Sequence, residues 1–342
     1  MDGRVSINRS SARARQLLSV LAMMAIMAAA LSGCRKTADA GPAEKVRIGF
    51  LADPLATLLY LADATGSFTR NGLEVSFHAY EGGAYAIQDL VAGTIDLAAA
   101  TEYALVHWSF RQRDLRSFAT IATANNAELL VRSDRGIDGP HELRGRRIGV
   151  TAGMNIHYIL GTFLAFNGLR FADVESVTLS PSAIVAGLRE GTIDAGCIYP
   201  PFTDQAKSEL GTGLVAWPVQ DSQDYYFQLV ARERFVREHP RAVASVLRAL
   251  LEAEAYLRKR PAETRQIVGK ALALSAEEVA DRWTGIVPRV SLDEDLLTLM
   301  EDEARWIVSQ GLAEENDLPN CYELLHFEPL ERLKPEAVSV IH

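Results

Sequence analysis

Apolar and polar positions follow two alternating rhythms along most of this 342-residue chain. Residues 46–51 begin Val46-Arg47-Ile48-Gly49 and read as a strand that ends in a turn at Asp53-Pro54. Residues 55–64 switch to helical spacing and stop at Gly66. Residues 73–80 alternate again and end at Gly82-Gly83. Residues 84–92 are helical, Gly93 stands where a helix C-cap belongs, and 95–100 form a buried strand. Strand–helix–strand repetition predicts an α/β sheet with helices on its faces.

The same phrases then return. Leu90, Gly93, Thr94, Ile95 and Asp96 are echoed by Leu188, Gly191, Thr192, Ile193 and Asp194. Arg47-Ile48-Gly49-Phe50 is echoed by Arg147-Ile148-Gly149-Val150. Both echoes lie about 100 residues apart and keep their order. In the first echo, Gly93 and Gly191 supply the left-handed turn that ends a helix, and Ile95 and Ile193 enter the sheet. Two lobes of similar build follow, the second starting near Arg135. Beyond Trp217-Pro218 a polar stretch at 220–224 leads to a strand at 225–231. From Arg232 onward the pattern is helical throughout. Pro240 and Pro261 open helices, Ser275 caps another, and 293–310 is the last long one. These helices are expected to pack back on the first lobe.

The N-terminus has a different character. Arg4, Arg9, Arg13 and Arg15 precede an apolar run at 17–31 whose only hydroxyl is Ser19. That run is shorter than the roughly 20 residues a spanning helix needs, so it reads as a secretory signal. It ends Leu31-Ser32-Gly33-Cys34, which resembles a bacterial lipobox with Cys34 as the acylated mature N-terminus. On this reading 1–33 is the signal peptide and 34–44 a polar, lipidated tether. A multiply acylated Cys, at about 0.8 kcal/mol per buried CH₂, anchors stably.

Charge and cysteines narrow the function. Net charge is −9, and removing 1–33, with its four arginines and one aspartate, makes it −12. Phosphate binding needs clustered basic groups, so a nucleic-acid partner is excluded. Some 300 mature residues exceed one small core. Cys197 and Cys321 stand far apart and make no disulfide framework; both are expected to be separate buried thiols. No Ser/His/Asp spacing, metal-ligand cluster or Gly-rich phosphate loop is present, and no cofactor or metal is expected.

The order of motifs resembles the periplasmic solute-binding proteins of nitrate, sulfonate and taurine ABC importers, a group that includes thiamine-precursor binders. The resemblance rests on Val46 to Phe50, then Gly66, Phe68, Gly72, Leu73 and Val75, then Gly82-Gly83, and the Gly93–Asp96 phrase. It continues through His141, Leu143, Gly145 and Val150, then Thr151, Gly153, Met154, Asn155 and His157, then His239-Pro240, and His326 to Leu330. It implies a type II periplasmic-binding-protein fold: two α/β lobes with a cleft, and a helical C-terminal segment on lobe 1. Lobe 1 would comprise 45–133 plus 222–342 and lobe 2 residues 134–221, with hinges at 131–134 and 219–224. It further implies a monomeric receptor on the periplasmic side of the cell membrane, with a small-molecule solute and an importer permease as partners.

Ligands of open α/β sheets sit beyond the carboxyl ends of the strands. That rule picks out Asp53 and Thr57, Gly82 and Gly83, Thr101, Glu102 and Tyr103, Thr151, Gly153, Met154 and Asn155, and Tyr199, with Tyr225 and Tyr226 added by the crossover. Gly82-Gly83 permits close backbone approach. Thr101, Thr151 and Asn155 stand where a strand feeds a helix, a place for N-capping and for anions alike. Tyr103, Tyr199 and Tyr225 could stack on a ring, close the cleft or belong to the core. His157, one turn into a helix, reads as a surface or backbone-bonding residue. No Lys or Arg occupies these loops, whereas Asp53, Glu81 and Glu102 do. Carboxylates suit amino, amidine or pyrimidine N–H groups, so the expected solute is a small organic molecule, aromatic or nitrogen-bearing. Tyr199-Pro200-Pro201 departs from the Trp-Asp-Pro of sulfonate binders, and Ala52 from the Trp of pyrimidine binders. Two alternatives stay open at this point: an enzyme on the same fold acting in thiamine-precursor (pyrimidine) metabolism, or a sensory lipoprotein that binds a protein partner.

Overall fold

The computed structural model describes residues 43–220 and 223–341. The signal, the tether and Cys34 lie outside the described residues. Strand β1 (Glu44–Leu51) leads to α1 (Thr57–Ala64), α2 (Ser67–Arg70), β2 (Leu73–Tyr80), α3 (Gly83–Ala92), β3 (Leu97–Thr101) and α4 (Glu102–Ser109). Then come β4 (Leu115–Ala124), β5 (Glu128–Arg132), β6 (Arg147–Val150), α5 (Asn155–Phe166), β7 (Glu175–Thr178), α6 (Pro181–Glu190), β8 (Ala195–Ile198), α7 (Phe202–Leu210) and β9 (Leu214–Pro218). The chain ends with β10 (Tyr225–Arg232), α8 (Glu233–Glu238), α9 (Pro240–Lys259), α10 (Pro261–Leu272), α11 (Ala276–Arg282), β11 (Ile286–Ser291), α12 (Glu294–Ser309) and α13 (Glu328–Leu333).

These strands form two sheets. The first has the order β11-β4-β10-β3-β1-β2 and the second β7-β6-β8-β5-β9. In each, the βαβ strands run parallel; β10, β4 and β11 join the first sheet antiparallel, and β5 and β9 the second. The two sequence echoes turn out to be the two halves of one clasp, built once in each lobe. Ile48-Gly49 of β1 pairs with Leu97-Ala98 of β3, and Ile148-Gly149 of β6 with Ala195-Gly196 of β8. Asp96 takes the Arg47 backbone N–H at 2.8 Å, and Asp194 takes that of Arg147 at 2.9 Å. The reciprocal bonds, Asp96 N–H to the Arg47 carbonyl and Asp194 N–H to the Arg147 carbonyl, measure 2.9 and 2.8 Å. The glycines are required by contact: a Cβ at Gly49 would lie 2.6 Å from Ile95 Cδ1, and one at Gly149 2.8 Å from Ile193 Cδ1.

Two expectations need correcting. The region after Arg232 is not wholly helical, because β11 pairs antiparallel with β4 at the sheet edge. Ile286, Val287 and Val290 favour a strand, and Pro288 is tolerated where the strand has only one neighbour. The first lobe boundary also differs. β5 belongs to the second sheet, so the chain crosses at 125–127 and not at 131–134. Asn125-Asn126 carries that turn, while Leu129, Leu130 and Val131 are fully buried strand. The return crossing joins β9 to β10, and residues 221–222 within it lie outside the described residues. The crossings are tied to each other: Tyr225 Oη donates to Asn126 Oδ1 at 2.7 Å, and the Ala127 N–H to Gln220 Oε1 at 3.2 Å.

The C-terminal helices cover the first sheet, α9 against α1 and α2, and α12 against α4. α12 also reaches the second lobe. Trp306 stands edge-on to Tyr158 and His157 of α5, with ring centroids 5.6 and 5.2 Å away, and to Phe171 at 6.1 Å. Gly161 makes room for it, since a Cβ there would lie 2.6 Å from Trp306 Cζ2. No helix among the described residues is long and apolar enough to cross a membrane. Gly161→Ala is therefore expected to lower unfolding free energy by about 2 kcal/mol through overpacking. In a Trp306→Ala background the same change should cost far less, a coupling that a denaturant double-mutant cycle measures.

Candidate functional site

The carboxyl ends of strands from both sheets meet across one narrow gap. Leu51 ends β1, Gly82 and Gly83 follow β2, and Thr101 ends β3; opposite them stand Met154 and Asn155 after β6 and Tyr199 after β8. Tyr225 and Phe227 of β10 close one side. The cavity they enclose measures about 20 Å³, room for about one water molecule. It is small because Met154 and Tyr199 fill it. A Cβ at Gly82 would lie 2.5 Å from Met154 Cε and 2.7 Å from Tyr199 Oη, so a larger residue there would push these side-chain ends back from the gap. Gly83 in turn packs on Ala100, where a Cβ would lie 2.5 Å from the Ala100 Cα.

Three polar contacts hold the lobes together. The Tyr199 hydroxyl reaches the Glu81 carbonyl oxygen across the gap at 3.0 Å, and lies 3.1 Å from Met154 Sδ of its own lobe. Ser182 Oγ donates to the Glu81 carboxylate at 3.1 Å. Arg282 of α11 meets Asp204 of α7 at 2.7 Å. The Arg282–Asp204 pair lines a polar pocket of about 500 Å³ between the lobes.

A larger cavity, about 410 Å³, continues from the cleft past Asn155 and Tyr225, which line both. Its walls come from α5 with Tyr158, Ile159 and Phe163, from the return crossing with Gln220 and Asp224, and from α12 with Leu299 and Glu303. Glu102 lies at its inner wall. Glu102 and Glu303 are each 1% exposed, and their carboxyl groups face one another within hydrogen-bonding reach. The Tyr226 N–H donates to Glu102 Oε2 at 2.6 Å, while Glu303 Oε2 has no partner. Burial pushes Glu102 up to about 8, and burial beside Glu102 raises Glu303 well above the carboxylate range. Such a pair retains a proton at neutral pH.

The other expected site residues fall elsewhere. Thr57 is buried, donating to the Pro54 carbonyl at 2.6 Å and accepting from Trp283 Nε1 at 3.0 Å. Tyr103 is core, its ring in contact with Tyr158, His107 and Trp306. Thr151 donates to the Leu179 carbonyl at 2.8 Å, and Gly153 uses φ +78° beside His107. None of these four lines the cleft cavity. His157 is not at the surface: it packs between Phe171 and Trp306, and burial lowers it to about 4. Asp53 caps the turn after β1 by accepting the Leu55 N–H at 3.0 Å, its Oδ2 unpartnered, and burial raises it to about 7. Residues that the sequence did not single out include Leu51, Leu55, Phe227, Ser182, Arg282 and Glu303. The last two lie on helices whose polar pattern carried no sign of a distant partner.

Comparison with known proteins fits this geometry. Residues 53–264 match the family described as NMT1/THI5 like, well over half the chain. The chain belongs to this family. It is 25% identical over 199 residues to the taurine-binding periplasmic protein of Escherichia coli (strain K12), spanning 57% of this chain and 61% of that one. The alkanesulfonate-binding protein SsuA from Xanthomonas axonopodis pv. citri, bound to MOPS, superposes with a TM-score of 0.71 at 19% identity, covering 84% of this chain and 99% of that one. The desulfurization enzyme DSZB shares the fold at a TM-score of 0.59 and 19% identity, covering 86% and 99%. The fold is thus the two-lobed periplasmic-binding-protein type.

The buried Asp53 sets a pH dependence. Its folded-state value, about 7, lies above its ordinary 3.8, so the folded protein holds this proton while the unfolded chain releases it. Stability contributed by the neutral form is present below pH 4 and is lost as pH rises towards 7. Asp53→Asn should match the parent near pH 4 and exceed it at pH 8 by on the order of 3 kcal/mol. Denaturant melts across pH 4–8 check this, and a flat difference would mean that Asp53 is ionised within the fold.

Proposed function

We propose that this protein is the solute receptor of an ABC importer. A small organic solute is held between the lobes, whose closure is the signal that the permease reads. The observation that carries the reading is the convergence of Gly82-Gly83, Thr101, Asn155, Tyr199 and Tyr225 on one interlobe gap bounded by polar contacts from both sides. In this reading the contacts Tyr199–Glu81 and Arg282–Asp204 belong to the closed state, and the tied crossings at 125–127 and 219–224 are the hinge. The ligand shifts the population towards closure by its greater affinity for that state. Cys34, as a lipidated N-terminus, would hold the receptor, a monomer, beside its permease on the periplasmic face. The relatives that bind taurine and alkanesulfonates support a solute of comparable size.

An enzymatic role on the same fold is less well supported by the chemistry present. The Cys197 thiol is fully buried, directed at the Ile156 carbonyl, and burial pushes it up to about 12. Cys321 is buried and raised to about 12 as well. Neither supplies a thiolate nucleophile at neutral pH.

Thermal-shift screening of the purified protein against sulfonates, nitrate, pyrimidines, flavin-like rings and polyamines is expected to yield a solute that stabilises by RT ln(1 + [L]/Kd), about 2.7 kcal/mol at a hundredfold excess over Kd. The same solute should reduce the radius of gyration in small-angle scattering. Tyr199→Phe with Arg282→Ala should expand the unliganded protein and weaken that solute. A stabilising solute that changes neither radius nor lobe contacts would overturn closure.

A further inference from the structure

The 410 Å³ cavity has a chemistry distinct from that of the cleft it adjoins. The cleft cavity is lined by apolar, hydroxyl and amide groups and carries no charged side chain. The larger one brings together Glu102, Glu303 and Asp224, with no Lys, Arg or His in its lining. Its remaining wall is mainly aromatic and aliphatic, with Tyr158, Phe163 and, at the rim, Phe166, which is 92% exposed, and it also carries the neutral polar side chains of Asn155, Thr162, Asn167, Gln220 and Gln223. A carboxyl oxygen buried without a partner is costly, and Glu303 Oε2 is such an atom. An acid pair facing an apolar chamber is complementary to a hydrogen-bond donor that carries positive charge. Aromatic faces favour the same guest through cation–π attraction. An inorganic cation fits less well: among the described residues no group of three His, Cys, Asp or Glu could hold a metal.

We propose that this side chamber takes a protonated amine or amidine group of the solute, which donates to Glu102 and Glu303 while the rest of the molecule extends past Asn155 and Tyr225 towards the cleft. The proposal rests on the receptor reading and names the class of its ligand. Binding displaces the proton that the acid pair holds. Charged and titratable groups that bear on the pair are Tyr103 of α4, Tyr158 of α5, Tyr225 and Tyr226 of β10, Asp302 of α12, and Cys321, with Asp224 next to Tyr225 and Arg305 next to Tyr158. Arg305 is the one cation among them and is paired with Asp302 at 2.7 Å. Affinity for a cation therefore rises with pH as the pair loses its proton.

Calorimetry on the purified protein with phenethylamine, benzamidine and 1,4-diaminobutane tests this, each against neutral and acidic counterparts of matched shape. At least one cation should bind about ten- to a hundredfold more tightly than its neutral counterpart, more so at pH 8 than at pH 6, with net proton release. Glu303→Gln and Glu102→Gln, which keep the shape, should each remove that preference. The proposal is overturned if no cation outbinds its neutral counterpart, or if both Gln variants retain the preference. Scattering separates the two readings. A sulfonate or other non-cationic solute that alone compacts the protein sinks the cation assignment and leaves the receptor intact. If no solute of any class compacts it, the receptor reading itself fails.

Discussion

Each lobe is organised around a reciprocal pair of hydrogen bonds between a strand and the turn that precedes its neighbour. Asp96 and Asp194 each accept the backbone N–H of a strand Arg, Arg47 in β1 and Arg147 in β6, and return their own N–H to its carbonyl. This fixes the register of the parallel pair, and a one-residue slip would turn every side chain to the wrong face. Gly49 and Gly149 then admit Ile95 and Ile193 across the pair at distances that no Cβ would allow. With register set, the carboxyl ends of the strands come level, and the loops that follow them arrive at the same gap. The position of Gly82, Thr101, Asn155 and Tyr199 is a consequence of this alignment.

The clasp is also why so much of the fold was legible in the sequence. Its two halves are short, rich in Gly and Asp, and occur twice in the same order. β11 was not legible, because six strand residues containing Pro288 lie between helical runs and, among the described residues, the strand they pair with is β4, far back in the chain. The boundary near 134 was misread for a similar reason. Asn125-Asn126 marks a break before Leu129 to Val131, but nothing local says which sheet receives the strand that follows. Of the site, residues placed by a strand end and a glycine were found. Thr57 and Tyr103 have the same address but spend their side chains on Trp283 and on the aromatic core. Glu303 gave no signal because its burial arises from α12 packing on α4, a contact between residues about 200 positions apart.

The electrostatics separate the gap into two environments. Along the cleft, the Tyr199 hydroxyl of one lobe meets the Glu81 backbone carbonyl of the other and the Met154 thioether of its own lobe, each at about 3 Å. Beside it, two carboxyl groups lie together, and the low-dielectric surroundings favour a state in which a proton stays between them. The first environment is suited to joining lobes and the second to discriminating among guests. Asn155 and Tyr225 line both.

Trp306 gives the molecule a property of a different kind. It is carried by a helix of the first lobe yet seated against Gly161, His157 and Tyr158 of the second. Any rotation of one lobe against the other slides α5 past an indole whose neighbours include a histidine and a tyrosine, both groups that alter fluorescence. The protein thus contains its own optical gauge of lobe motion at the joint, without an added label.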